Sequence, residues 1–414
     1  MTISTHLNIL SSAAKRSADD GASGASPRPR PAVTVLQVLP ALGGSGGVER
    51  GTVEIAGCIS KRGWRSLVAS SGGERVYQLQ RAEAEHFELP LQSKNPFVMR
   101  ANIKRLEALI REQGVDIVHA RSRAPAWSAY FACRRAGVPF VTTFHGTYNT
   151  KGLGKRLYNS VMARGERVIA ISRFIAGHLK QTYGVPSDRI RVVHRGVDLE
   201  TFAQSKVSVE RVVQLAQKWR LEEGLPIIML PARLTRWKGQ GLLVDAIQKM
   251  GRDDIRCVLV GADQGRVAYR KELETKIEAA GLGGVVRIVD HCDDMPAAYM
   301  LADVVVSAST DPEAFGRVVV EAQALGRPVV APNHGGACET IVERQTGWLF
   351  TPGDANDLAR VLGAVLNLDE DDRQALVNAE MASVQESFSK DAMCAKTIAV
   401  YEEVLAAHGK AASA

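Results

Sequence analysis

The residues with the greatest chemical reach in this chain of 414 residues are two glutamates, two cations and a histidine. Glu313 and Glu321 lie in Asp311-Pro312-Glu313-Ala314-Phe315-Gly316-Arg317-Val318-Val319-Val320-Glu321, and Arg233 and Lys238 in Pro231-Ala232-Arg233-Leu234-Thr235-Arg236-Trp237-Lys238-Gly239. His145 ends Thr142-Thr143-Phe144-His145-Gly146. Carboxylates accept hydrogen bonds from hydroxyls. An arginine forks two oxygens of a phosphate, and a lysine adds a compact charge beside it. These types suit a diphosphate held next to a group rich in hydroxyls. Glycines 43, 44, 46 and 47, with Ser45, add a turn whose backbone N–H groups can approach an anion at the start of a helix.

Such residues act together only if the chain brings them to one place. Residues 303–307 read as a short buried strand, 309–312 as the loop leaving it, and the stretch from Gly316 to Gly326 as a helix stopped before Pro328. That puts Glu313 at a strand's carboxyl end and Glu321 in the following helix, the usual ligand crevice of an open α/β sheet. The same alternation runs along the whole chain. Strands are expected at 33–39, 66–70, 116–120, 139–144 and 167–171, with helices at 48–62, 98–112, 124–136 and 172–183. A second series has strands at 226–230, 257–260 and 285–289, and ends in helices at 355–366, 371–386 and 392–407. This is the rhythm of parallel sheets covered on both faces. The first turn lacks the G-x-G-x-x-G spacing, and no clear acid ends the second strand, so a dinucleotide-binding dehydrogenase is excluded.

The length accommodates two domains. The expected division is a disordered leader at 1–30, one Rossmann-like domain at 31–197, another at 198–390 and a final helix at 391–414. No apolar run approaches the ~18–20 residues of a membrane span, and the leader's apolar patch at 7–10 is too short for an export signal. Six scattered cysteines without a C-x-x-C pair suit a reducing cytoplasm better than a disulfide framework or zinc. The net charge of +7 hides +14 on residues 31–197 against −9 on 198–414. A basic half implies an anionic partner. No nucleic-acid-binding motif or aromatic interleaving accompanies it, so an anionic membrane or acceptor fits better than nucleic acid.

The E-A-F-G-x₄-E string, with Pro328-Val329-Val330-Ala331 and His334-Gly335-Gly336-Ala337-Cys338-Glu339 behind it, resembles the E-x₇-E signature of family 4 retaining glycosyltransferases of the GT-B fold. Other stretches extend the resemblance over about residues 33–405. Gly46-Gly47-Val48-Glu49 is similar to the family's G-G-x-E opening, His145 matches T-x-H-G, and Arg233 with Lys238 matches R-x₄-K. His194-Arg195-Gly196-Val197-Asp198 resembles the N-G-V-D crossover, with Arg195 where Asn is usual; that departure is expected to cost little, the segment mainly turning the chain. The glycine–proline part of the family's turn is missing at Gly261-Ala262-Asp263.

The resemblance implies two Rossmann-like domains facing across a cleft, and transfer of a hexose from a nucleotide-diphosphate sugar without other cofactor. It assigns the leaving diphosphate to Arg233 and Lys238, the donor sugar to Glu313 and the ribose to Glu321. His145 would border the reacting sugar, and Gly46, Gly47, Phe315, Gly316 and Asp290 would bind the donor, Asp290 seeing the base. Glu339 would close over the donor or serve as an ordinary helix acid. Glu49, Arg121 and Arg123 would hold the acceptor. No D-x-D motif or metal-ligand cluster is present, so the expected chemistry needs no metal. Residues 118–128 with 142–148 are similar to bacterial lipopolysaccharide core glycosyltransferases, mannosyltransferases among them. The expected donor is GDP-mannose or a UDP-hexose, the acceptor an anionic glycolipid, and the location the cytoplasmic face of the inner membrane. The alternatives are a non-catalytic sugar-nucleotide-binding module, and a GT-B epimerase or phosphorylase.

Overall fold

The computed structural model describes residues 33–43, 46–148 and 152–410. The leader expected at 1–30, Gly44, Ser45 and Lys151 lie outside the described residues. The first sheet alternates with helices in chain order: β1 (Thr34–Val38), α1 (Gly47–Lys61), β2 (Arg65–Ser70), α2 (Val76–Arg81), β3 (Glu85–Glu88) and α3 (Pro96–Glu112). It continues through β4 (Ile117–Ala120), α4 (Arg123–Ala136), β5 (Phe140–Phe144), α5 (Leu153–Asn159), β6 (Arg167–Ala170), α6 (Arg173–Tyr183) and β7 (Ile190–Val192). The strands are parallel, in the order β3-β2-β1-β4-β5-β6-β7.

The second sheet follows α7 (Val209–Lys218): β8 (Ile227–Pro231), α8 (Gln240–Met250), β9 (Arg256–Val260), α9 (Val267–Ala279), β10 (Val286–Val289) and α10 (Met295–Leu301). Then come β11 (Val304–Val306), α11 (Arg317–Ala324), β12 (Val329–Pro332), α12 (Ala337–Thr340), β13 (Trp348–Phe350), α13 (Ala355–Leu366), α14 (Glu370–Ser387) and α15 (Lys390–Ala407). Its order is β10-β9-β8-β11-β12-β13, again parallel. Central strands such as β1, β5, β8 and β11 are buried at every position, because helices cover both faces and side chains of either direction enter a core. Chain order reverses between β1 and β4 in one sheet and between β8 and β11 in the other, and each reversal opens a crevice at the strands' carboxyl ends.

Two crossovers join the halves and pair with each other. Val197 N–H donates to the Phe388 carbonyl at 2.8 Å, Lys390 N–H returns to Val197 at 2.7 Å, and Lys390 Nζ meets Asp198 at 2.9 Å. The second crossover leads into α15, which packs under the first sheet: Met393, Ile398, Tyr401, Val404 and Leu405 share a core with Val35, Ile55, Ile59, Ile117 and Ile169. Each such apolar side chain contributes roughly 1.5–3 kcal/mol by leaving water.

This docking overturns one expectation. Cys58 on α1 and Cys394 on α15 form a disulfide, their Cα atoms 6.1 Å apart across 336 residues of sequence. Only the return of the last helix brings them together, which spacing along the chain does not reveal. Cys133, Cys257 and Cys292 are free and buried, and Cys338 is free and exposed.

Candidate active site

The carboxyl ends of the two sheets frame a cleft of about 570 Å³. Its first wall comprises Gly47 and Val48 after β1, His145 to Thr147 after β5, Ile171 after β6, and Arg195 from the crossover. Its second wall comprises Arg233, Trp237 and Lys238 after β8, and the loop 311–318 after β11.

Backbone contact shapes the second wall. Gly335 has φ +64°, and a Cβ there would stand 2.6 Å from the Glu313 carbonyl; at Gly336 a Cβ would stand 2.4 Å from the Phe315 Cα. Only glycine lets this turn lie flat against the Glu313 loop, where Gly336 N–H donates to Glu313 C=O at 2.8 Å. Gly239, with φ +72°, similarly abuts the Ala308 carbonyl and seats the Lys238 turn on the end of β11.

Lys238 Nζ reaches Glu313 Oε1 at 2.7 Å, and Ser309 and Ser307 hydroxyls donate to the same oxygen. Burial alone would push the Glu313 carboxyl up, but Lys238 and the serines outweigh it and hold the group below its ordinary value. Glu313 is therefore a fixed carboxylate. Lys238 also lies over the Trp237 ring, 4.4 Å from its centroid. Arg233 is exposed and lines the same wall with no ion pair among the described residues. Glu321 accepts from Tyr299 Oη at 3.0 Å, Arg317 at 2.9 Å and, across the cleft, Arg50 at 3.5 Å.

The first wall is more cationic. Arg195 is 7% exposed, donates from Nη1 to His145 Nδ1 at 3.0 Å, and donates from Nη2 to the Gly47 carbonyl. Burial, with Arg317 and Arg121 nearby, pushes its guanidinium down to about 9. The crossover position expected merely to turn the chain thus holds a site residue. Its signal was the Arg itself, whose length spans the gap that an Asn leaves.

Other expected site residues are placed differently from one another. Gly46 caps α1, with the Glu49 side chain folded against it. Gly316 caps α11 and lines the cleft beside Phe315, but the Phe315 ring turns inward onto His194 and Phe388. Asp290 stands apart, 78% exposed at the end of β10 and paired with Arg270 at 2.6 Å. Arg121, expected to hold the acceptor, is instead 4% exposed and packed behind α1, its Nε without a partner among the described residues. Arg123 lies over Tyr148, 4.1 Å from the ring centroid, and bonds Asn159. His119, near the end of β4, is fully buried between Tyr401 and Thr143 at 2.6 and 2.7 Å. Its strand is central, so both faces are covered.

Glu339 sits on the four-residue α12 and reaches the opposite domain. Its two oxygens accept from the Arg173 and Phe174 N–H groups at the start of α6, both at 2.7 Å, and from His194 at 2.9 Å. Burial raises this carboxyl, but His194 and the two N–H donors prevail and depress it. Among the described residues, no three His, Cys, Asp or Glu side chains group as metal ligands do, and no helix is long and apolar enough to cross a membrane.

Residues 45–201 match Glycosyltransferase Family 4, and residues 214–381 match Glycosyl transferases group 1. A D-inositol 3-phosphate glycosyltransferase of Xylanimonas cellulosilytica is 31% identical over 321 residues, covering 73% of this chain and 75% of that protein. The crystal structure of a glycosyltransferase from Rickettsia africae superimposes with a TM-score of 0.84 at 37% identity, over 90% of this chain and 98% of that one. HepE of Anabaena, solved with UDP-glucose, shares the fold at 23% identity and a TM-score of 0.76, over 89% and 99% of the two chains. With two parallel sheets facing across a cleft and both halves matched in this way, the chain belongs to the family 4 glycosyltransferases of the GT-B fold.

Proposed function

We propose that this glycosyltransferase moves a hexose from a nucleotide-diphosphate sugar to an anionic, lipid-linked saccharide, with retention at the anomeric carbon and without a metal. The carrying observation is the charge arrangement of the second wall: Glu313 is held as a carboxylate by Lys238, and Arg233 stands unpaired beside it. Arg233, Lys238 and the N–H groups opening α1 at Gly46 and Gly47 would neutralise the leaving diphosphate. Glu313 would accept hydrogen bonds from donor-sugar hydroxyls, and Glu321, already oriented by Tyr299, would take the ribose. Neither carboxylate need form a covalent intermediate if the acceptor attacks from the face the diphosphate leaves. Phe315 would contribute its backbone, and Asp290, which is not among the residues lining the cleft, would see the base from outside that lining.

The acceptor side rests on the first domain. Glu49 and Arg123 would meet an acceptor, while buried Arg121 would contribute positive potential from behind α1. Lys94, Arg100, Lys104, Arg105, Arg134, Arg135, Lys155 and Arg156 are all exposed on or beside α3, α4 and α5. On the same helices Phe97 is 84% and Leu157 62% exposed. Cations worth on the order of 1 kcal/mol each near an anionic surface, with apolar side chains among them, support reversible attachment to the cytoplasmic face of the inner membrane.

A second acceptor class, a soluble phosphorylated polyol, is favoured by the name of the Xylanimonas relative and by the arginines of the first wall. Incubation with GDP-mannose, UDP-glucose and UDP-galactose decides among these readings, each donor being offered with a lipid-linked core saccharide and separately with inositol phosphate. The proposal expects an α-linked product on the lipid-linked saccharide, unchanged by a chelator. Product on inositol phosphate alone selects the second class. Donor binding without transfer to either acceptor would make the chain a binding module, and epimerised donor an epimerase.

A further inference from the structure

Arg195 occupies a place where the family pattern has Asn, and two facts show that it does more than turn the chain. It is buried, and both of its terminal nitrogens are committed: one to the carbonyl of Gly47 at the start of α1, the other to His145 Nδ1 at 3.0 Å. A guanidinium only donates. The Nδ1 facing it must therefore be the unprotonated nitrogen, and a neutral ring carries its proton on Nε2. That Nε2 is buried and has no hydrogen-bond partner among the described residues, although the ring lines the cleft.

We propose that Arg195 is a positioning residue: by donating to Nδ1 it fixes His145 as the Nε2–H tautomer and reserves that N–H as a donor to a substrate oxygen. This rests on the reading that His145 borders the reacting sugar. An imidazole so held cannot act as the base that deprotonates an acceptor hydroxyl through Nε2, and through Nδ1 it is blocked. It orients a hydroxyl or phosphoryl oxygen instead. The charged and titratable groups acting on the ring agree with this. Burial comes first, then Arg195 from the crossover and Arg121 and His119 from β4, and all disfavour an imidazolium. Across the cleft Lys238 is another cation, and Glu313 is already engaged by it. Asn is too short to replace the long Arg contact, so the tautomer lock is a property of this chain's own residue.

The test reads the ring without any substrate, so its failure is separable from failure of the proposed reaction. Protein labelled with ¹⁵N-histidine contains nine histidines, and His145→Gln identifies the resonance. The expected spectrum shows His145 protonated on Nε2, with Nδ1 an acceptor, and no titration between about pH 5 and 8. Arg195→Met keeps the length but not the donors. It should populate the second tautomer and lower kcat on the order of tenfold to a hundredfold with a smaller change in donor KM. Arg195→Lys, which still donates, should recover part of both. A wild-type ring protonated on Nδ1, or an Arg195→Met spectrum identical to wild type in a variant of normal thermal stability, overturns the inference. An unfolded Arg195→Met leaves the wild-type spectrum and Arg195→Lys to decide it.

Discussion

The two walls of the cleft are built on opposite electrostatic plans. On the second wall, Lys238 and Arg317 each meet a carboxylate, Glu313 and Glu321, within 2.9 Å, and the loops that carry Lys238 and Glu313 are locked by glycine-to-backbone contacts. On the first wall, Arg195 and Arg121 are buried with no carboxylate within ion-pair distance among the described residues, and Arg123 lies on an aromatic ring. Pairing fixes geometry before a ligand arrives. Unpaired burial is destabilising, and a chain retains it where an anion or a developing charge will answer it. The second wall is thus preorganised, and the first is electropositive and under-satisfied.

The largest break in this plan comes at Glu313. Glu313→Gln removes the charge that anchors Lys238 and, on the proposed reading, weakens the acceptor offered to sugar hydroxyls, so single-turnover transfer should fall by about 10²–10³-fold. Unchanged transfer would remove Glu313 from the site. The electropositive plan is tested by neutralising Lys104, Arg105, Lys155 and Arg156 together. Co-sedimentation with anionic vesicles should fall at least about tenfold, and wild-type binding should weaken with salt, while transfer to a soluble acceptor stays within about twofold. Equal binding to neutral and anionic vesicles, or none to either, contradicts it.

A smaller effect belongs to Glu339, which ties the walls together through α6 and His194. Its carboxyl is depressed on folding, so its stabilisation is full above the ordinary value of 4.5 and is lost as pH falls through the lower folded value. Wild type should therefore lose more of its midpoint advantage over Glu339→Gln below pH 4.5 than between pH 6 and 7. At neutral pH the difference should be about 2–4 °C by scanning calorimetry. A pH-independent difference would show that the carboxylate is not what joins the domains.

The contrast also explains what the sequence disclosed. The second wall is made of short stretches, each following a buried strand, so E-A-F-G-x₄-E and R-x₄-K announce it at fixed spacing. The long apolar strands were equally legible. β3, with the sequence Glu-His-Phe-Glu, and the three-residue β7 and β13 were not, because three or four residues are too few to display a strand's pattern. The first wall brings His145 and Arg195 together with Arg121 behind them, and only tertiary packing joins these residues. The same holds for Cys58 with Cys394 and for His119 with Tyr401. Arg195 was in view as a departure from a pattern, but its partner lies 50 residues upstream and no local rule connects them.

The proposal that the preorganised second wall takes the donor is tested most directly by isothermal titration of wild type, Arg233→Ala and the four-residue basic variant with GDP-mannose, UDP-glucose and UDP-galactose. Wild type should bind one of these donors. Arg233→Ala should lose about 2–4 kcal/mol of affinity for it, with its fold and Glu313–Lys238 pair intact, while the basic variant binds as wild type does. Equal affinity in wild type and Arg233→Ala, or no binding of any nucleotide sugar by wild type, would contradict the assignment.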